Sequence, residues 1–146
     1  DPNVRPTLGS QIHRLVLEST QFELYDLGGQ ARLRDKWYDN KIQPNAIVYV
    51  IDCSREEEFK EAWDELVRVI DFYYSELPDM KISQVPLLML GNKVDLIEWY
   101  YQYILPSVVF EIKNGIKYHM GYCSAKQNMG INDNFKWLIG ELVKSI

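Results

Sequence analysis

The chain reads as an α/β protein, a mostly parallel sheet flanked by helices. Two observations predict it. Ala46-Ile47-Val48-Tyr49-Val50-Ile51 and Leu87-Leu88-Met89-Leu90 are unbroken apolar runs, the pattern of strands buried on both faces. Between them lies a segment with helical rather than alternating periodicity, and a strand–helix–strand order implies parallel crossovers.

The elements follow in order. Ile12 to Glu18 and Phe22 to Tyr25 flank the polar stretch Glu18-Ser19-Thr20-Gln21, which predicts a hairpin. After Gly28-Gly29, the charged stretch Ala31 to Asp39 is expected to be helical, and its Trp37 to pack in a core or against a loop. The Ala46–Ile51 strand ends in Asp52. Ser54 with Glu57 three residues on then reads as a capping box opening a helix. Phe59, Trp63, Leu66, Ile70 and Tyr74 recur about four apart on one face of that helix, and Pro78 stops it. Leu87–Leu90 follows Pro86, and a third strand is expected from Lys117 to Cys123. After a turn at Gly130, a last helix begins near Asn132 with Phe135, Leu138, Ile139, Leu142 and Val143 facing inward.

At 146 residues, without an internal repeat or linker, residues 1–146 are expected to form a single domain. Charged residues at 25% and hydrophobic ones at 47% are ordinary globular values. A net charge of −5 with scattered Lys and Arg argues against a nucleic-acid partner. Cys53 and Cys123 make neither a disulfide framework nor a metal spacing and suit a reducing compartment. His13 and His119 are isolated, so a zinc site is not expected. No apolar run is long enough to span a bilayer. Trp99-Tyr100-Tyr101-Gln102-Tyr103 is expected to pack within a helix after Asp95, with an interfacial patch as the alternative.

The chemistry collects where strands end, since ligands of such sheets bind beyond the carboxyl ends of the strands. Asp26 follows the Phe22–Tyr25 strand, Asn92-Lys93-Val94-Asp95 follows Leu87–Leu90, and Ser124-Ala125-Lys126 follows the third strand. Asp95 offers two acceptor oxygens in a plane, matching the N1–H and exocyclic amine of guanine, which adenine cannot satisfy together. Asn92 can tie neighbouring loops, the Lys93 stem can lie over a purine face, and the Ala125 N–H can meet the guanine O6. Asp26 can supply a carboxylate to Mg²⁺, a hard cation that takes oxygen ligands. Gly29 leaves room for a backbone N–H to approach a terminal phosphate, and Gln30 can hold an attacking water in line. Each motif has a plainer reading: Gly28-Gly29 as a tight turn, Asn92–Asp95 as a loop with a helix-capping Asp, and the Ser124 tripeptide as one of many such.

Together, Pro6-Thr7-Leu8-Gly9, Asp26-Leu27-Gly28-Gly29-Gln30, Asn92-Lys93-Val94-Asp95 and Cys123-Ser124-Ala125 resemble a small GTPase of the Arf and Arf-like family. The doubled glycine before Gln30 points to Arf rather than Ras relatives. The resemblance covers essentially the whole chain. It implies the P-loop NTPase-like fold and a GTP/GDP switch with Mg²⁺, Thr7 completing the metal shell beside Asp26. Slow GTP hydrolysis aided by Gln30 is expected of the complete domain. It further implies exchange factors, activating proteins and effectors, a role in vesicle traffic or organelle positioning, and a cytoplasmic location, peripheral on intracellular membranes through a segment preceding Asp1. A flavodoxin-like protein would explain the strands but not Asn92–Asp95.

The pattern departs from the family in two ways. No Gly in the chain is followed by Lys, so the phosphate-binding loop G-x-x-x-x-G-K-[ST] is not among these residues. The family's first strand, that loop and the first helix are missing with it, and tight GTP binding by this chain as given is not expected. In the family's sheet that strand lies between Phe22–Tyr25 and Ala46–Ile51, and each buried hydrogen bond lost there costs about 1–3 kcal/mol. A protein stable by roughly 5–15 kcal/mol cannot absorb a strand's worth. The expectation is therefore an N-terminally truncated chain. The alternatives are a hairpin paired directly with Ala46–Ile51, and a non-catalytic GTPase-like interaction module. Second, the family's three effector-facing aromatics fall at Ser10, Tyr25 and Asn40, so one survives.

Overall fold

The computed structural model describes residues 10–17, 20–27, 34, 37, 38, 43–92, 115–124, 126 and 128–144. Two compact units divide the chain, residues 1–42 and 43–146.

The first unit holds the expected hairpin. Strand β1 (Ser10–Leu17) pairs antiparallel with β2 (Thr20–Leu27), placing Ile12 opposite Tyr25 and Leu15 opposite Phe22. Leu17 pairs with Thr20, so the connection is residues 18–19 alone and Thr20-Gln21 belong to the strand. Two-residue connections suit the right-handed twist of paired strands. Asp26 lies in β2 opposite Gln11, one position inside the strand end. Of the stretch 31–39, the described residues include Arg34, whose guanidinium sits 5.9 Å from the centroid of the half-buried Trp37 ring. That is cation–π distance, so the ring packs against a charge.

In the second unit, β3 (Ile47–Asp52), β4 (Leu87–Asn92) and β5 (Tyr118–Tyr122) form a parallel sheet in the order β3-β4-β5. The central β4 is buried from Leu87 to Gly91 because it has a strand on each side and helices over its faces. Strand alternation sorts its side chains. Leu88 and Leu90 join Cys123 and Leu138 in one core cluster, with Val48, Phe135, Trp137 and Leu142 against it. The other face carries Tyr49 and Met89, which are opposite one another in register, and the Tyr49 hydroxyl donates to the Ala62 carbonyl at 2.7 Å.

Ala62 belongs to α1 (Phe59–Tyr74), and the helix over the Leu88–Leu90 face is α3 (Ile131–Lys144). The sheet is thus covered on both faces, as the fold class requires. Helix α1 buries Leu66, Ile70 and Tyr74 as its periodicity predicts, and Val69 and Glu65 as well. Helix α3 buries Leu138 and Ile139, whereas Val143 is half exposed rather than inward. Val143 is one position past Leu142, and a turn of 100° carries it off the narrow stripe that meets the sheet.

The capping box does not form. Ser54 instead donates from its N–H and its hydroxyl to one carboxylate oxygen of Asp52, at 2.9 and 2.6 Å. An Asp side chain two residues before a Ser commonly accepts from that residue's N–H in a tight turn, and here it takes the hydroxyl as well. Entry to α1 runs instead through a 3-10 turn, Glu56–Glu58. The chain leaves α1 at Tyr74, whose hydroxyl donates to the Val85 carbonyl at 2.6 Å. A short helix α2 (Asp79–Ile82), which the sequence pattern does not predict, follows with Pro78 at its cap, a position where proline's missing N–H costs nothing.

Candidate functional site

Parallel strands present their carboxyl ends along one rim, and three chain segments meet there. Asp52 closes β3, Asn92 closes β4, and Cys123-Ser124 follow β5. Backbone ladders carry past the strand ends: the Cys53 N–H donates to the Asn92 carbonyl at 3.0 Å and the Cys123 N–H to the Gly91 carbonyl at 2.8 Å. The three strand ends are therefore fixed relative to one another to within hydrogen-bond tolerance.

Side chains add a cross-link. The Cys123 thiol donates to Asn92 Oδ1 at 3.6 Å, joining the loop after β5 to the loop after β4. Both cysteines are free and buried. Burial, then the neighbouring Asp52 charge and then Cys123, push the Cys53 thiol up to about 11. Burial raises the Cys123 thiol too. Neither is a thiolate at neutral pH, so the pair serves packing and hydrogen bonding rather than nucleophilic chemistry.

The loop after β5 is closed at its base. Ser124 N–H donates to the Met129 carbonyl and Met129 N–H to the Ser124 carbonyl, both at 3.0 Å. Such a closed loop needs a sharp reversal, which Asn128 (φ 54°) and Gly130 (φ 74°) provide from the left-handed region. Ser124 is fully buried, so its side chain is enclosed by protein, whereas Lys126 is exposed.

Of the residues expected to bind nucleotide, the structure brings Asn92 and Ser124 together on adjacent strand ends, with Lys126 on the loop that Ser124 anchors. Gly29, Gln30, Lys93, Asp95, Ala125, Thr7 and the Trp99–Tyr103 cluster lie outside the described residues, as does the Asp26 side chain. Two participants escaped the sequence reading. Asp52 organises the turn after β3, and an Asp-x-Ser pattern at a strand end is the signal that could have found it. Asn134, in the first turn of α3, is buried and reaches back under the loop to Tyr122 and Gly130. A polar residue on an otherwise ordinary helix carried no such signal.

A model of the ADP-ribosylation factor family matches residues 2–142, which takes in both compact units. Among characterised proteins, the chain is 27% identical to ADP-ribosylation factor-like protein 3 of Chlamydomonas reinhardtii over 140 residues, 95% of this chain and 75% of that one. It is likewise 27% identical to ADP-ribosylation factor-like protein 3 of Caenorhabditis elegans, covering 96% of this chain and 73% of the relative. An ADP-ribosylation factor of Encephalitozoon cuniculi is 29% identical, covering 95% and 70%. Among solved structures, the Arl6 BBS3 small GTPase of Trypanosoma brucei, determined with the nucleotide analogue GppNp, superposes with a TM-score of 0.80. All of this chain and 86% of that one align, at 18% identity, so the likeness is one of fold.

Proposed function

This chain belongs to the ADP-ribosylation factor family, and on that premise we propose that it works as a guanine-nucleotide switch of the Arf and Arf-like kind. The observation that carries the reading is the rim itself. Asn92 and Cys123, from two motifs far apart in sequence, are hydrogen-bonded to each other at adjacent parallel strand ends, and Ser124 follows directly. Ligands of open α/β sheets bind at that edge.

In this reading Asp95 accepts from the guanine N1–H and exocyclic amine, the Lys93 stem covers the purine face and the Ala125 N–H meets O6. Asn92 and Ser124 hold the two loops in register, and Lys126 lies at the loop's exposed side. The family resemblance assigns the Thr7 hydroxyl and the Asp26 carboxylate to Mg²⁺, and two oxygen donors are the chemistry that would suit it. When bound, that ion neutralises phosphate charge. By the family resemblance the Gly29 N–H would meet the terminal phosphate and Gln30 would orient the attacking water, giving slow hydrolysis of GTP to GDP. Exchange factors and activating proteins set the cycle, and the GTP form recruits effectors in vesicle traffic or organelle positioning, in the cytoplasm and peripherally on intracellular membranes.

The test is base specificity. Fluorescent GDP, ADP and xanthosine diphosphate are titrated against the native polypeptide and the 146 residues in parallel, with and without Asp95→Asn. Two hydrogen bonds to a charged group are worth roughly 3–6 kcal/mol, so the substitution should weaken GDP binding about 10²- to 10⁴-fold and favour xanthine, whose 2-oxo group accepts from an amide. Equal, weak binding of guanine and adenine nucleotides by the native polypeptide would overturn the reading and leave the non-catalytic interaction module.

A further inference from the structure

Asn134 is a buried polar side chain on α3 with directed contacts to β5 and to the turn that precedes the helix. Its Nδ2 donates to the Tyr122 carbonyl at 3.2 Å and to the Gly130 carbonyl at 2.6 Å, while its Oδ1 lies 3.2 Å from His119 Nε2. Carbonyls only accept, so the amide's donor side faces them, Oδ1 is the acceptor, and His119 Nε2 carries the proton. The ring of His119 is in turn held by stacking on Trp137 at 5.2 Å between centroids.

The carboxamide occupies space that any other residue at position 121 would take. A β-carbon on Gly121 would overlap Asn134 Oδ1 and crowd Nδ2, and one on Gly130 would meet the Tyr122 carbonyl. Gly121 is in β5, and Tyr122 and Gly130 flank the loop whose base is the Ser124–Met129 bridge. One buried amide therefore pins both legs of the loop, with Gly121 making room for it and Gly130 for the Tyr122 carbonyl it bonds.

We infer that Asn134 is a positioning residue for the base-reading loop at residues 124–129, locked in place by Gly121 and His119. The inference rests on the nucleotide reading above. Its consequence is specific. This loop contributes the N–H proposed to meet the guanine O6, whereas Asp95, on the loop after β4, reads the N1–H and exocyclic amine. Loosening the clamp blurs recognition at O6 and leaves recognition of the amine untouched.

Two measurements on the native polypeptide test this. In Asn134→Ala, amide exchange at Ser124 and Met129 should quicken by about tenfold or more, the equivalent of one hydrogen bond, while Leu88 and Leu90 keep their protection. The preference for GDP over 2-aminopurine riboside diphosphate, which lacks O6 and with it the N1 proton, should fall by a similar factor relative to the unsubstituted protein, the lost Asp95 contact being common to both, and the preference for GDP over IDP, which lacks the amine, should stay within about twofold. Gly121→Ala should reproduce both effects by displacing the carboxamide, and adding it to Asn134→Ala should change little further, since the two act on one contact. Unchanged exchange at Ser124 and Met129, multiplying effects in the double variant, or equal loss of both base preferences would overturn the inference. If the unsubstituted protein binds no GDP, the nucleotide reading falls and the positioning role with it, whereas the exchange arm alone still decides whether the clamp holds the loop.

Discussion

Tyr74 ties the end of α1 to the segment that enters β4, and Tyr74→Phe isolates what that tie is worth. The side chain is fully buried and its hydroxyl donates to the Val85 carbonyl at 2.6 Å. Phenylalanine keeps the ring and its packing but leaves the carbonyl without this donor, which should cost about 1–2 kcal/mol at neutral pH. With a urea m-value near 1.5 kcal/mol/M for a domain of this size, the midpoint should fall by roughly 1 M. The pH dependence makes the test sharper. Burial pushes the Tyr74 hydroxyl well above the ordinary tyrosine range. Above pH ~10 the unfolded chain releases this proton while the folded protein retains it, so stability falls as pH rises, by up to about 1.4 kcal/mol per unit. Tyr74→Phe has no such proton. The gap between the two proteins should therefore be full below pH ~10 and close near pH ~11, where the linkage loss in the parent reaches about 1.4 kcal/mol. Urea unfolding at pH 7, 9, 10 and 11 reads both numbers, and every other titrating group cancels in the difference. A midpoint unchanged at pH 7, or a gap that stays constant to pH 11, would refute the assignment of a buried, donating hydroxyl.

Two further outcomes follow from the core and the rim. Leu66, with none of its surface exposed, should lose about 2–5 kcal/mol of stability on substitution by alanine, read as a drop in thermal midpoint; a change under about 1 kcal/mol would mean that the helix–sheet contact can collapse around the void. Cys53 and Cys123 should resist a thiol reagent at pH 8 and react only as the protein unfolds, because both are buried and burial holds both thiols protonated. Reaction of either at the rate of a free thiol in the folded protein would contradict their placement at the closed strand ends.

What the sequence determined alone is what short-range rules govern. The apolar runs at Ala46–Ile51 and Leu87–Leu90 predicted strands buried on both faces; β3 and β4 formed within one or two residues of them, but only the central β4 is buried throughout, whereas β3, at the end of the three-strand order, leaves Val50 exposed. The four-residue rhythm of Leu66, Ile70 and Tyr74 placed α1. The family, too, was legible from local motifs, since Asn92-Lys93-Val94-Asp95 and Asp26-Leu27-Gly28-Gly29-Gln30 are contiguous and chemically specific, and the matching of residues 2–142 agrees. Tertiary structure decided which polar groups are enclosed and with whom. Ser54 looked like a cap by spacing, yet in the turn after β3 its N–H and hydroxyl both donate to the Asp52 carboxylate. Asn134 looked like one more polar residue at a helix start until the order β3-β4-β5 set α3 beneath Tyr122 and Gly130. Hydrophobic periodicity is a property of neighbours along the chain and can be read there. The partner of a buried amide is fixed by strand order and register, which bring together residues that the sequence keeps apart.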